Sequence, residues 1–211
     1  MKAQPLRIDL ETWPRKAHYE HFRTFDCPRW DLCGELDLTR FRARCKAEGF
    51  PVHHALIHAV TESVNAQEAF RYRIRGQEVV LHSRVHPRFT DMDKGSELFK
   101  LVTVDFLEDR KGFVASAQAQ AASQIEPFPP ESKEERDDLV YLTCVPWLSF
   151  TRISHAWNLS KDDGVPRIAW GTFTVKDGHV TVAFAVEANH CFVDGLHMAR
   201  LFEDLQARLD A

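Results

Sequence analysis

Apolar and polar positions change period several times along the chain, and each change marks an element. Thr12-Trp13-Pro14-Arg15 opens a helix through His18, Tyr19 and Phe22, with Thr12 as its expected cap and Pro14 in its first turn. Trp30–Leu38 reads as a strand with Leu32, Leu36 and Leu38 facing inward. Thr39-Arg40-Phe41 begins a basic helix that ends near Gly49, and Val52–Asn65 forms a second helix with Leu56, Ile57, Val60 and Val64 on its apolar side. The middle of the chain is richer in strands. Ile74–Leu81 is a hairpin turned at Gly76, Thr103–Phe106 a strand, Arg110–Ser123 an Ala/Gln-rich helix, and the Pro-rich stretch Gln124–Asp138 a loop. In the last third, Ile168–Val175 and Val180–Asn189 are joined by Lys176-Asp177-Gly178-His179, and Asp-Gly between two such runs is a hairpin signal. After Gly195 the period becomes helical, with Met198, Leu201, Phe202, Leu205 and Leu209 on one face.

Composition narrows the class. With 211 residues, 44% hydrophobic and 27% charged, the chain is neither disordered, collagenous nor a coiled rod, and it suffices for one domain over residues 1–211. Fifteen Phe and five Trp supply core volume. A net charge of −4 offers no electrostatic reason to expect nucleic acid or an anionic membrane as partner. Five scattered Cys without a CxxC pair fit reduced thiols, and neither a signal-like start nor an apolar run of membrane-spanning length occurs, so the expected location is the cytoplasm.

The chemistry concentrates at the junction Asn189-His190-Cys191-Phe192-Val193-Asp194-Gly195, where a strand delivers His190 and Asp194-Gly195 starts the last helix. An imidazole held at a strand end suits a general base near neutral pH; a half-buried structural His with Asp194 as helix cap is the plainer alternative. Cys191 should point away from His190 and pack. His54, His58 and Glu62 recur at i, i+4, i+8, yet Ala55, Leu56 and Ile57 fill the places between, so a polar face or subunit contact is expected and no metal. Arg40, Arg42, Arg44 and Lys46, at spacing two, scatter around a solvated helix.

The H-x-x-x-D-G pattern at His190–Gly195 resembles that of the chloramphenicol acetyltransferase family. Further stretches agree in chain order. Trp13-Pro14-Arg15-Lys16-Ala17-His18-Tyr19-Glu20 is similar to W-x-R-K/R-E-H-F-E, and Asn65–Arg71 matches N-x-x-x-x-[F/L]-R. Ser83–Thr90 resembles S-V-H-P-x-[F/Y]-T with one extra residue, and Pro146–Thr151 resembles P-W-V-S-F-T. The resemblance spans roughly residues 8 to 206. It implies a two-layer α/β fold, a mixed sheet packed with helices, assembled as a homotrimer with the active site at the subunit interface. It further implies acetyl transfer from acetyl-CoA to a small hydroxylated acceptor without an acyl-enzyme. His190 would be the base, and Arg15 with Asp194 an ion pair that sets its loop.

Other positions depart from the family. The first His of the family's pair is Asn189, and the Ser that donates to the oxyanion is Arg152, leaving Ser149, Thr151 and Arg152 as candidates for that role. The family's water-holding Thr is Ala169, its CoA-contacting Lys is Thr172, its adenine-facing Tyr is Phe173, and a second Lys gives way near Pro51. Thr172, Phe173 and Arg167 are the candidate CoA contacts, with Arg152, Arg167 or another cation expected to meet the phosphate. His21, Phe22, Phe99 and Phe128 are the candidate acceptor contacts, while the loop Trp157–Gly164 is more polar than a dry acceptor pocket needs. The competing readings are a non-catalytic binding trimer of the same fold and an acyltransferase using another acyl donor.

Overall fold

A computed structural model describes residues 4–128, 136–156, 160 and 162–211. Among the described residues nine strands form two sheets. Strands β1 (Leu6–Arg7), β3 (Tyr72–Arg75) and β4 (Glu78–Leu81) make a small antiparallel sheet in the order β1-β4-β3. The larger sheet joins β2 (Arg29–Asp37), β5 (His86–Met92), β6 (Phe99–Thr103), β7 (Leu139–Cys144), β8 (Arg167–Lys176) and β9 (His179–Asn189) in the order β2-β9-β8-β7-β5-β6. It is mixed: β7 runs parallel to β5 and β8, and the other pairs are antiparallel.

Among the described residues five α-helices pack with these sheets: α1 (Lys16–Arg23), α2 (Thr39–Glu48), α3 (Val52–Asn65), α4 (Arg110–Ser123) and α5 (Gly195–Asp210). Helix α3 touches α4, α5 and β5, while α2 lies against α3, α5 and β9. The burial pattern explains the packing. Leu56, Ile57, Val60 and Val64 of α3, with Met198, Leu201, Leu205 and Leu209 of α5, are all fully buried in one continuous cluster with Leu36, Phe184 and Trp170 of the sheet. Local signals act where backbone geometry demands them. Asp177 and Gly178 both take positive φ, 51° and 83°, as a two-residue turn between β8 and β9 requires. Buried Arg73 ties β3 to β7 by donating to the carbonyls of Phe70, Tyr72, Asp137 and Leu139 at 2.6–2.9 Å.

Three expectations change. Thr12 is not the cap of α1: its hydroxyl donates to Asp9 within a preceding turn, and the helix starts at Lys16 with Arg15 at the N-cap position. The strand expected at Thr103–Phe106 is β6, Phe99–Thr103. Beyond Thr103 the ladder stops: the Val104 amide still bonds the Pro87 carbonyl in register, but Pro87 has no N–H to return a bond, and the Phe106 amide turns to His86 Nδ1. The row His54, His58, Glu62, expected as a polar face or subunit contact, is turned partly inward within the subunit. His58 is buried, with Nε2 3.1 Å from the Leu107 carbonyl, and Glu62 pairs with Arg208 at 2.7 Å. The loop expected over Gln124–Asp138 falls partly on residues 129–135, outside the described residues. Among the described residues, no helix is long and apolar enough to cross a membrane.

One glycine ties the sheet to the loop after β7. At the irregularity in β8 between Trp170 and Phe173, a Cβ on Gly171 would stand 2.8 Å from the Leu148 carbonyl oxygen, which accepts from the Thr172 amide at 2.9 Å. Gly171→Ala is expected to lower the unfolding free energy by about 1–3 kcal/mol through overpacking against backbone. Urea titration checks this, and an unchanged midpoint would mean that the 146–150 segment yields freely.

Candidate active site

The last strand ends in a turn held from several sides. The Asn189 carbonyl accepts from the Phe192 and Val193 amides at 3.0 Å each, and the His190 amide donates to Pro28 at the start of β2. The Asn189 side chain spans the turn, its Oδ1 accepting from the Cys191 amide at 2.9 Å and its Nδ2 donating to the Asp163 carbonyl at 3.1 Å. Arg15 closes the arrangement. Its Nε donates to the Cys191 carbonyl at 2.8 Å, Nη1 to Asp194 Oδ2 at 2.9 Å and Nη2 to the His190 carbonyl at 3.2 Å. Asp194 also caps α5, Oδ1 accepting from the Leu196 amide, while His197 Nδ1 accepts from the Asp194 amide.

The imidazole of His190 lies between aromatic rings. Phe22 of α1 stacks on it at 3.9 Å with planes 9° apart, and Trp30 of β2 lies 5.0 Å away at 24°. Nδ1 is buried without a hydrogen bond, so the nitrogen left open to the outside is Nε2. Burial pushes the pKa of His190 below its ordinary 6.5; its own carbonyl, that of Val193 and Asp194 oppose the shift, and Arg15 adds to it. The ring is therefore neutral at pH 7 and able to accept a proton. Trp30 was legible only as a strand residue. Its place opposite Ala188 and the donation from Nε1 to the Val193 carbonyl at 2.9 Å make it a wall of the site. His21 sits exposed beside this wall, 5.1 Å from Phe22 and 5.3 Å from Phe25.

The other candidates lie elsewhere. Phe99, Thr172 and Phe173 line a cleft of about 950 Å³ between α2 and strands β5 to β8, together with Arg42, Trp147 and His53. Phe128 meets Phe99 edge-on at 6.2 Å. Phe173 stands opposite Val182 on β9, eight residues before His190, which at about 3.3 Å per strand residue is some 26 Å of strand. Within one chain His190 and the Phe173 part of this cleft are thus separated along β9. Arg167 corrects the expectation of a CoA contact: it is 7% exposed and paired with Asp163 at 2.7 Å, inside a buried set with Arg29 and Glu187. Arg152 is exposed, but its Nη2 rests 3.1 Å from Asp31 of β2. Ser149 and Thr151 are exposed, and their hydroxyls make no hydrogen bond among the described residues. Trp157 to Leu159 and Lys161, in the loop read as polar, lie outside the described residues.

The model of the family described as chloramphenicol acetyltransferase matches residues 4–206. The chain belongs to the chloramphenicol acetyltransferase family. It is 25% identical to a chloramphenicol acetyltransferase of Escherichia coli over 205 residues, 96% of this chain and 93% of that protein. It is 28% identical to the chloramphenicol acetyltransferase of Streptomyces acrimycini over 208 residues, 97% and 94% of the two. A solved chloramphenicol acetyltransferase shares the fold with a TM-score of 0.90 at 24% identity, over 98% of this chain and 100% of that one. A probable dihydrolipoamide acetyltransferase from Listeria monocytogenes shares it with a TM-score of 0.65 at 13% identity, over 99% and 94%. By family membership the protein is an acyltransferase, and the family uses acetyl-CoA and a small hydroxylated acceptor.

In this member of the chloramphenicol acetyltransferase family Cys191 is fully buried, and burial pushes its thiol up to about 11, so it stays protonated beside His190. Among the described residues no three His, Cys, Asp or Glu side chains gather as a metal site would need. The turn itself depends on Arg15. Burial would raise the Asp194 pKa, but the hydrogen bond from Arg15 and the charge of His197 hold it below the ordinary 3.8. A carboxylate with a depressed folded pKa adds stability above its unfolded value and loses that contribution as pH falls through the folded one. Arg15→Ala, which strands two carbonyls and a carboxylate, should therefore cost about 1–3 kcal/mol at neutral pH. The difference from wild type should shrink below pH 3.8. Denaturant titration across pH measures both, and a pH-independent difference would remove the ion pair from the account.

Proposed function

We propose that this protein transfers an acetyl group from acetyl-CoA to a hydroxyl of a small molecule, chloramphenicol or a related acceptor, with His190 as general base. It would do so as a single-domain subunit of a cytoplasmic homotrimer. The observation that carries this reading is the neutral His190 imidazole, clamped between Phe22 and Trp30 with Nε2 open and its turn locked by Arg15.

The step follows from that geometry. Nε2 takes the acceptor's hydroxyl proton as its oxygen bonds to the thioester carbonyl carbon, and the carbonyl oxygen gains the negative charge. Collapse of this tetrahedral species breaks the carbon–sulfur bond, and the CoA thiolate takes the proton back from the imidazolium. Ser149 and Thr151 offer hydroxyls for the oxyanion on the segment after Trp147, and Arg152 offers a guanidinium only if it leaves Asp31. The aromatic set His21 and Phe22 at the base, with Phe99 and Phe128 at the cleft, would hold an acceptor from two sides.

Assembly supports joining those sides. Phe173 of the cleft lies some 26 Å along β9 from His190, which supports a second copy bringing its cleft to the first copy's His190. Exposed apolar side chains around the cleft fit such a contact: Trp147 is 70% exposed, Val175 63% and Leu148 53%.

CoA thiol release from acetyl-CoA in the presence of chloramphenicol tests the function. Wild type should show acceptor-dependent release, and His190→Ala should lower kcat by about 10²–10⁴ with unchanged thermal unfolding. On the acid side kcat/KM should fall as His190 protonates, with an apparent pKa below 6.5 because burial disfavours the cation. A variant as active as wild type would assign the base elsewhere.

A further inference from the structure

We propose that Arg42 of α2 is the residue that grips the nucleotide phosphate of the CoA donor, an inference that rests on the donor named under Proposed function. Of the described side chains lining the 950 Å³ cleft, Arg42 alone carries a guanidinium or ammonium group. It is exposed and makes no side-chain hydrogen bond or ion pair among the described residues. The other two cations that sequence reasoning offered for the phosphate are engaged, Arg167 by Asp163 at 2.7 Å and Arg152 by Asp31 at 3.1 Å.

The surroundings of Arg42 point to a nucleotide. It shares the cleft with Phe173 and Trp147, a half-buried and a 70% exposed ring, and aromatic faces open to solvent stack on bases. A planar base on an aromatic wall beside an unpaired guanidinium is the chemistry of a phosphorylated nucleoside. His53, in the same wall, adds no charge, since burial lowers its pKa to about 4.

The cleft is also electrically asymmetric. Arg42 comes from α2, which packs on β9, whereas Asp91 on β5 and Glu97 between β5 and β6 line the cleft from strands farther across the sheet. Three to four strand spacings of about 4.8 Å separate those strands from β9, roughly 14–19 Å. Two carboxylates repel a phosphate at that side, so the donor lies with its nucleotide toward Arg42 and its thioester pointing away from α2.

Calorimetric titration with CoA, 3′-dephospho-CoA and pantetheine tests the assignment, using wild type, Arg42→Ala and, as a control for net charge, Arg40→Ala. Wild type should bind CoA about ten- to a hundred-fold more tightly than dephospho-CoA. Arg42→Ala should weaken CoA by about that factor and leave dephospho-CoA nearly unchanged, while Arg40→Ala keeps the wild-type difference. Equal binding of CoA by wild type and Arg42→Ala, or no discrimination between the two nucleotides by wild type, overturns the assignment while leaving a CoA donor in place. Failure of wild type to bind any CoA species overturns the assignment together with the acetyl-CoA donor itself.

Discussion

The site hangs on one guanidinium. Arg15 comes from the start of α1, yet it satisfies acceptors on a turn more than 170 positions later: the carbonyls of His190 and Cys191 and the Asp194 carboxylate. Only a planar fork with several donors can meet three acceptors at 2.8–3.2 Å at once; an ammonium on a flexible stem cannot hold all of them in one geometry. The consequence reaches the imidazole. With its carbonyl held by Arg15 and its amide by Pro28, His190 has little backbone freedom, and Phe22 and Trp30 remove most of its rotational freedom. An imidazole arranged this way is pre-positioned, as the proposed role of general base requires.

Burial gives the same ring its protonation state. The apolar rings and the Arg15 charge favour the neutral form, and nearby carbonyl oxygens limit the shift. The groups around it are quiet: Cys191 is held as a thiol by burial, and the Arg29, Asp163, Arg167 and Glu187 set neutralises itself beneath the turn. Asn189 belongs to this support. Its amide satisfies both the Cys191 amide and the Asp163 carbonyl, a pair of opposite demands that one imidazole in a single tautomer could also meet. The change from His to Asn at that position thus preserves the turn.

Much of this was legible before any coordinates. The helix over Val52–Asn65, the helix over Arg110–Ser123 and the β8–β9 hairpin follow from period and turn chemistry, even though only α4 buries a single side while α3 is buried at nearly every position from Ala55 to Val64. Arg15, His190 and Asp194 emerged from motif resemblance, and they meet in space. The structure corrects readings wherever a side chain's partner lay far away in sequence. Thr12 reads as a cap until Asp9 competes for its hydroxyl, and His58 reads as part of a polar helix face or subunit contact until the carbonyls after β6 arrive beneath it. Trp30 carries no motif at all, and only the pairing of β2 with β9 places it against His190.

Arg167 and Arg42 show why charged contacts are the hardest of these to transfer. Both are arginines near the strand that presents Phe173, and by position Arg167, on β8 itself, is the better candidate for a phosphate. Yet β8 runs inward at Arg167, where desolvation obliges the charge to take Asp163 as partner, and outward at Val175, where the cleft opens. A cation for a soluble anion must be reachable and unpaired, and α2 delivers one across the surface from a different element. Long side chains let a guanidinium act several ångströms from its own Cα, so the position of a charge in a sequence constrains its site of action weakly. Backbone-bound devices such as the Asn189–Asp194 turn behave oppositely: their hydrogen bonds are local, and their residues can be read in order along the chain.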